Sequence, residues 1–260
     1  MVELAALLTD LDAETAEVDA LVNNRPQEDW DRPTPSAGWT VAHQIAHLAW
    51  TDHAALLATT DEAQFVALLA PLAEDPDRIT DKGAEDFLAP PDELRQRWLA
   101  GHRELAEALR AAPEGKRIPW FGNLLAPRSM ATARLMETWA HGLDIADALG
   151  VTQKPTDRLR HVAFLGFRTL GHSFLAHGHA VPTEPVRVEL AAPDGTVWAF
   201  GPEAATDRLT GPALDFCLLV TQRRHPSDLA LVATGPVATA WLGVAQAFAG
   251  PPGAKREPVA

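Results

Sequence analysis

The hydrophobic period of this chain changes partway along, and that change limits what it can fold into more than any other feature. Up to about residue 150, apolar residues recur at spacings of three and four in long stretches. Beyond Pro182 they alternate with polar ones. Leu4, Leu7, Leu8, Leu11, Val18 and Leu21 mark an amphipathic helix over residues 2–22. A second helix is predicted over 41–59, entered through Trp39 and Thr40. A third is predicted over 91–111, with Pro91 as a first-turn proline. The fourth spans 129–149 and stops at Gly150. The connections are a three-proline loop (NNRPQEDWDRPTPSAG), a short helical piece over 61–73, the acidic run EDPDRITDKGAEDF, read as a solvated loop, and a loop around PWFG. Four long helices joined in this way predict a four-helix bundle.

After Thr152–Pro155 one more helix is expected over 156–177. PVRVELAA, a Pro-Asp-Gly turn and TVWAFG then read as a β-hairpin. Residues 211–222 read as helix, DLALVATG as a strand and PVATAWLGVAQAFAG as a closing helix. The expected organisation is therefore a bundle over 1–152, an α+β domain over 156–250 and a disordered tail over 251–260.

Composition narrows the function. A net charge of −13 lacks the basic footprint of a nucleic-acid binder. No apolar run reaches the roughly 18 residues that a membrane-spanning helix needs. The N-terminus carries acids and no basic region, unlike a signal peptide. The one cysteine, Cys217, excludes an internal disulfide, so a cytoplasmic location is expected. The chain has no Tyr and ten His, so proton transfer falls to His, Glu, Asp or water.

The fourth helix, LMETWAHGLDIADALG at its end, is apolar around most of its circumference, yet Arg134, Glu137, His141 and Asp144 share an arc of roughly 80°. That arc either faces water or builds a site. In the second helix, WTVAHQIAHLAWTDH, His43 and His47 also lie four apart on one arc. Two helices thus each offer a pair of metal-capable side chains at the spacing that brings them one above the other. Carboxylate and imidazole from facing helices are how bundles build metal sites. Asp52 and Asp144 are open between orienting a ligand histidine and pairing elsewhere. His172, His177 and His179 have poor ligand spacing and read as a solvated cluster. Cys217, in the apolar LDFCLLV, reads as core.

GWTVAHQIAHLAW and ARLMETWAHGLDIADALG together resemble the N-terminal domain of the mycothiol-dependent maleylpyruvate isomerases and their DinB-like relatives. Those are four-helix bundles that carry one divalent metal, usually zinc. The stretch from PWFG to METWAHG is most similar to an uncharacterised metal-binding branch of that superfamily. The resemblance implies His47, Glu137 and His141 as metal ligands, with His43 at a position the pattern does not use. FCLLVTQRRHPSDLALVATGPVATAWL resembles the end of those isomerases' sterol-carrier-like α/β domain. There an Arg holds the substrate carboxylate, and Arg223 or Arg224 is the match here.

The implied cofactors are a divalent metal, Zn2+ first and Ni2+ or Fe2+ also suited to a His–Glu–His set, and mycothiol as thiol cosubstrate. Trp120 and Phe121 of PWFG, with Arg134, are the candidate cofactor-binding residues. The expected function is a metal-dependent mycothiol S-transferase acting on a small electrophile lying between the two domains. The alternatives are a cis–trans isomerase of maleylpyruvate type and a non-catalytic metal- or ligand-binding module. The expected partners are a small electrophile and the thiol, with no nucleic acid or membrane, in a monomer or homodimer.

Overall fold

In the computed structural model, residues 3–71, 75, 78–253 and 255–259 are described. The chain divides into two compact units, Met1–Gln153 and Lys154–Ala260.

The first unit is built from helices α1 (Leu4–Val22), α2 (Gln27–Trp30), α3 (Val41–Thr60), α4 (Glu62–Leu69), α5 (Ile79–Phe87) and α6 (Pro91–Ala111). A two-stranded hairpin, β1 (Ile118–Trp120) and β2 (Asn123–Leu125), precedes α7 (Pro127–Leu149). The long helices α1, α3, α6 and α7 pack against one another, α3 against α6 and α7, and α1 against α7. Leu7, Leu8 and Leu11 of α1, Ile45 and Leu48 of α3, Trp98 and Leu105 of α6, and Leu135 and Ile145 of α7 are all buried between them. Local signals set the ends. Pro91 and Pro127 open α6 and α7, where a missing N–H leaves no bond unmade. Gly150 closes α7 in the left-handed conformation, with φ 68°.

Three parts of this unit differ from the sequence reading. The three-proline stretch NNRPQEDWDRPTPSAG, expected to be loop, contains the short helix α2. In EDPDRITDKGAEDF, Glu74, Pro76 and Asp77 lie outside the described residues, but from Ile79 onward the run is helix α5, not loop. Its inward face is made of Gly83 and Ala84, both buried, with Gly83 set against the ring of Trp50. An inward face of such small residues shows no hydrophobic stripe. The PWFG loop is the β1–β2 hairpin, with Trp120 opposite Asn123.

The second unit holds α8 (Leu159–Arg168), α9 (Leu170–Ala176), β3 (Val186–Ala191), β4 (Val197–Phe200), β5 (Asp207–Pro212), α10 (Ala213–Val220), β6 (Val232–Thr234) and α11 (Pro236–Val244). The four strands form one mixed sheet in the order β4-β3-β5-β6. β3 pairs antiparallel with β4, Leu190 opposite Trp198, and parallel with β5, Val188 opposite Leu209. Val186, Val188 and Leu190 alternate inward, as the pattern predicts.

The helix expected over 156–177 is two helices, broken at Thr169, whose hydroxyl donates to the carbonyls of Leu165 and Gly166. Strand β5 has no counterpart in the sequence reading. Its inward positions are Leu209 and the buried Asp207, and Asp207 accepts from the N–H groups of Val237 and Ala238 at the start of α11. A carboxylate facing the core breaks the alternation that would reveal the strand. In the terminal stretch, Lys255 donates to the Gly243 carbonyl and the Val259 N–H donates to Asp228. Among the described residues no helix is long and apolar enough to cross a membrane.

Candidate metal centre

α3 supplies His47, and α7 supplies Glu137 and, one turn later, His141. The Nε2 atoms of His47 and His141 lie 3.2 Å and 3.1 Å from the same carboxylate oxygen, Glu137 Oε2. The two imidazole rings are 4.3 Å apart between centroids. One donor atom from each of the three residues falls within 4.8 Å of the other two, the one such group of His, Cys, Asp or Glu among the described residues. Both histidines are buried, while Glu137 is only partly so. Burial alone would raise the Glu137 carboxyl, but the contacts from His141 and His47 outweigh it and hold the group well below the usual carboxylate range. Glu137 is therefore a full negative charge at neutral pH.

Hydrogen bonds behind the site decide which way the His141 ring is protonated. The Thr34 hydroxyl donates to the Trp39 carbonyl at 2.9 Å, so its proton is committed. It must then accept from Gln44, whose Nε2 is 2.8 Å away. The other end of that amide, Oε1, therefore faces His141 Nδ1 and accepts its proton. With Nδ1 committed to Gln44, Nε2 meets the Glu137 oxygen either with a second proton, which makes the ring a cation donating to the carboxylate, or as a lone pair when a metal ion lies between them. A lone pair and an anionic oxygen 3.1 Å apart repel unless a proton or a cation lies between them. A divalent cation suits this set, because metal-ligating histidines are neutral and hold their other ring nitrogen on an acceptor.

Trp39 packs over both histidines, its ring 5.3 Å from His47 and 5.9 Å from His141, nearly parallel to the latter. Its indole N–H donates to Asp81 on α5 at 2.9 Å. Beyond His47 the aromatic surface continues through Trp50 to Phe121, with Trp120 and Phe65 against it. Trp120 and Phe121, two of the candidate cofactor residues, thus belong to an aromatic group that reaches His47. Phe121 sits at φ 39° and Gly122 at φ 81° in a two-residue hairpin turn, which needs positive φ at both positions. Such backbone is costly for a phenylalanine.

The remaining candidates have specific partners. Arg134, expected to bind the cofactor, is buried in α7 and donates from Nε to Asp52 Oδ1 at 2.8 Å. This pairing resolves the alternatives for Asp52, which orients neither histidine. Asp144 accepts from the Ser36 hydroxyl at 3.1 Å and ties the loop before α3 to α7. His43 belongs to the capping box that opens α3, its Nδ1 accepting from the Thr40 N–H. Cys217 is buried, and that burial raises its thiol far above the ordinary value. Arg223 and Arg224, in the second unit, donate to the carbonyls of Thr221 and Arg223.

Gln44 and Trp39 escaped the sequence reading. The signal for Gln44 was a polar residue in an apolar stretch, three positions before His47 and so on the same face.

A family model described as the mycothiol maleylpyruvate isomerase N-terminal domain matches residues 11–146. A second, described as wyosine base formation, matches residues 182–234. Two proteins of Mycobacterium tuberculosis, from strains CDC 1551 / Oshkosh and H37Rv and both described as uncharacterized, are 49% identical over 257 residues. Those alignments cover 98% of this chain and 100% of each relative. Among solved structures, the mycothiol-dependent maleylpyruvate isomerase superposes with a TM-score of 0.59 at 18% identity, covering 91% of this chain and 96% of that one. A His-to-Ala mutant of that enzyme gives 0.58. At this identity the likeness is one of fold.

Proposed function

The chain belongs to the mycothiol maleylpyruvate isomerase family through its N-terminal domain, and from that premise we propose a metal-dependent enzyme that adds the mycothiol sulfur to a small electrophile. The observation that carries this reading is the convergence of His47, Glu137 and His141 on one point, with His141 Nδ1 on Gln44 and its Nε2 facing Glu137. Three protein donors leave a tetrahedral ion one position for a further ligand. A divalent cation held there, Zn2+ by preference, would keep a thiol ionised at neutral pH.

The chain's own residues do the rest. His47 and His141 contribute neutral nitrogens, and Glu137 a charge that offsets the ion. Trp39 shields the two imidazoles from water. The aromatic group of Trp50, Trp120, Phe121 and Phe65 offers an apolar wall, and Arg223 or Arg224 is the proposed holder of a substrate carboxylate.

In the reaction, the thiolate sulfur forms a bond to the electrophilic carbon, and the displaced electron pair moves onto the acceptor, which takes up a proton. Retention of that carbon–sulfur bond is the S-transferase outcome we favour. Its loss after rotation about the neighbouring carbon–carbon bond is the isomerase outcome that the family name carries. Either way ionisation is the smaller part. A thiol of pKa about 8.5 is a few per cent thiolate at pH 7, so full ionisation is worth at most about 30-fold. The larger part must come from holding thiolate and acceptor together.

Elemental analysis of the purified chain should find one divalent metal, lost in His141→Ala. Mycothiol consumption with chlorodinitrobenzene, whose chloride leaves as the carbon–sulfur bond forms, or mycothiol-dependent isomerisation of maleylpyruvate, should vanish in His47→Ala, and mycothiol should serve better than glutathione in the native chain. Variants of the anchoring Arg should mainly raise KM. Equal thiol consumption by the native chain and His47→Ala would overturn the mechanism.

A further inference from the structure

We infer that Gln44 is a positioning residue that sets the tautomer of His141, and that the Trp39 carbonyl and the Thr34 hydroxyl in turn set the direction of the Gln44 amide. This rests on the metal-centre reading above and goes beyond it. The ligand set is recognised from His47, Glu137 and His141, but two of those are histidines, and each can present either ring nitrogen in either protonation state.

The relay removes that freedom for one of them. The Trp39 carbonyl can only accept, and it takes bonds from the Thr34 N–H at 2.8 Å and from the Thr34 hydroxyl at 2.9 Å. The hydroxyl, its single proton used, can only accept from Gln44. The amide, its N–H2 directed at Thr34, can only turn its oxygen toward His141. His141 then carries its proton on Nδ1. Gln44 is completely buried, so solvent does not supply a competing partner that would let the amide turn over. Because Trp39 is also the ring stacked over the two histidines, the residue whose backbone starts the relay covers the site it ends in. His47 contrasts with this. Its Nδ1 is buried with no hydrogen-bond partner among the described residues, and its ring lies between those of Trp39 and Trp50. One ligand is therefore held by a hydrogen-bond relay and the other by packing.

The test uses the full chain and zinc alone as probe. In chelator-stripped protein carrying nitrogen-15-labelled histidine, the ring nitrogens of His141 report directly whether Nδ1 carries a proton. The resonances are assigned by their loss in His141→Ala. The native chain should show the Nδ1–H form. Gln44→Met, which keeps the length and removes the acceptor, should lose it and bind zinc 10- to 100-fold more weakly, as measured by chelator competition. Gln44→Glu, which restores an acceptor, should recover the tautomer and most of the affinity. Thr34→Val frees the amide to turn and should give a mixture of tautomers, so the inference stays testable even if Gln44→Met does not fold.

A native His141 in the Nε2–H form, or native-like zinc affinity in Gln44→Met, would overturn the assignment. A native chain that binds no zinc would instead overturn the metal centre. The tautomer, read without metal, separates the two failures.

Discussion

Asp52 and Arg134 lose their water on folding and recover one short hydrogen bond, Nε to Oδ1 at 2.8 Å, while Asp52 Oδ2 and Arg134 Nη2 stay buried with no partner among the described residues. A pair this incomplete contributes little net stability, because the desolvation of both ions offsets most of their attraction. Its removal in halves is another matter. Asp52→Ala leaves a buried guanidinium uncompensated, and Arg134→Ala leaves a buried carboxylate, so each should cost about 3–5 kcal/mol in urea denaturation. The double variant Asp52→Leu with Arg134→Met should lie much closer to the native chain. Single variants within about 1 kcal/mol of native would show that water reaches the pair. The same two residues mark where single-residue reading stops. His47, Glu137 and His141 stand out in the sequence because a four-residue spacing on a helix is a geometric statement. The partner of Asp52 was open between a histidine and an Arg, since both choices satisfy the same spacing. Gln44 showed only as a polar residue on the His47 face; its role runs through three hydrogen bonds, one of them to a backbone carbonyl, and no side-chain pattern encodes a backbone acceptor.

Among the elements, α1 and α7 depend on one residue for their close approach. A Cβ built on Gly142 would stand 2.5 Å from Val18 Cγ2 of α1, which no real contact allows. Ala is favoured over Gly in a helix by about 1 kcal/mol, but the overlap with Val18 should outweigh this. Gly142→Ala is expected to destabilise the chain by about 1–3 kcal/mol. Adding Val18→Ala should remove the overlap, so the two substitutions should couple favourably in a double-mutant cycle. Strict additivity would mean that α1 shifts without strain. Since Gly142 follows His141 directly, weaker zinc binding in Gly142→Ala would accompany any such shift in α7. The long helices were legible because each carries a stripe of large apolar residues and an explicit stop or start, as at Gly150 and Pro91. Helix α5 was not legible, since its buried side is Gly83 and Ala84, and its charged residues read as loop. The β1–β2 hairpin was not legible either. Its turn places Phe121 at positive φ, where a sequence rule expects Asn, Asp or Gly.

For the whole molecule, the switch to alternating periodicity after Pro182 announced a helical part followed by a part containing a sheet, because a strand buries every second residue and a helix every third or fourth. The mixed topology was beyond reach, since the parallel β3–β5 pairing depends on a strand whose inward Asp207 hides it. This division makes the last prediction specific. All three proposed ligands lie in the first unit, on two helices, and His47 is 90 positions from Glu137 along the chain. An ion bound by the folded unit alone stabilises it by RT ln(1 + [L]/Kd), about 4 kcal/mol at a thousandfold excess over Kd. Backbone amides that exchange only through opening of the α3–α7 pair should slow by the same factor, on the order of a thousandfold. Hydrogen exchange with and without zinc should therefore slow the amides of α3 and α7, while those of β3 and β5 serve as the internal control. Protection that rises equally in β3 and β5, or fails to rise in α3, would place the ion elsewhere than between His47 and the Glu137–His141 turn.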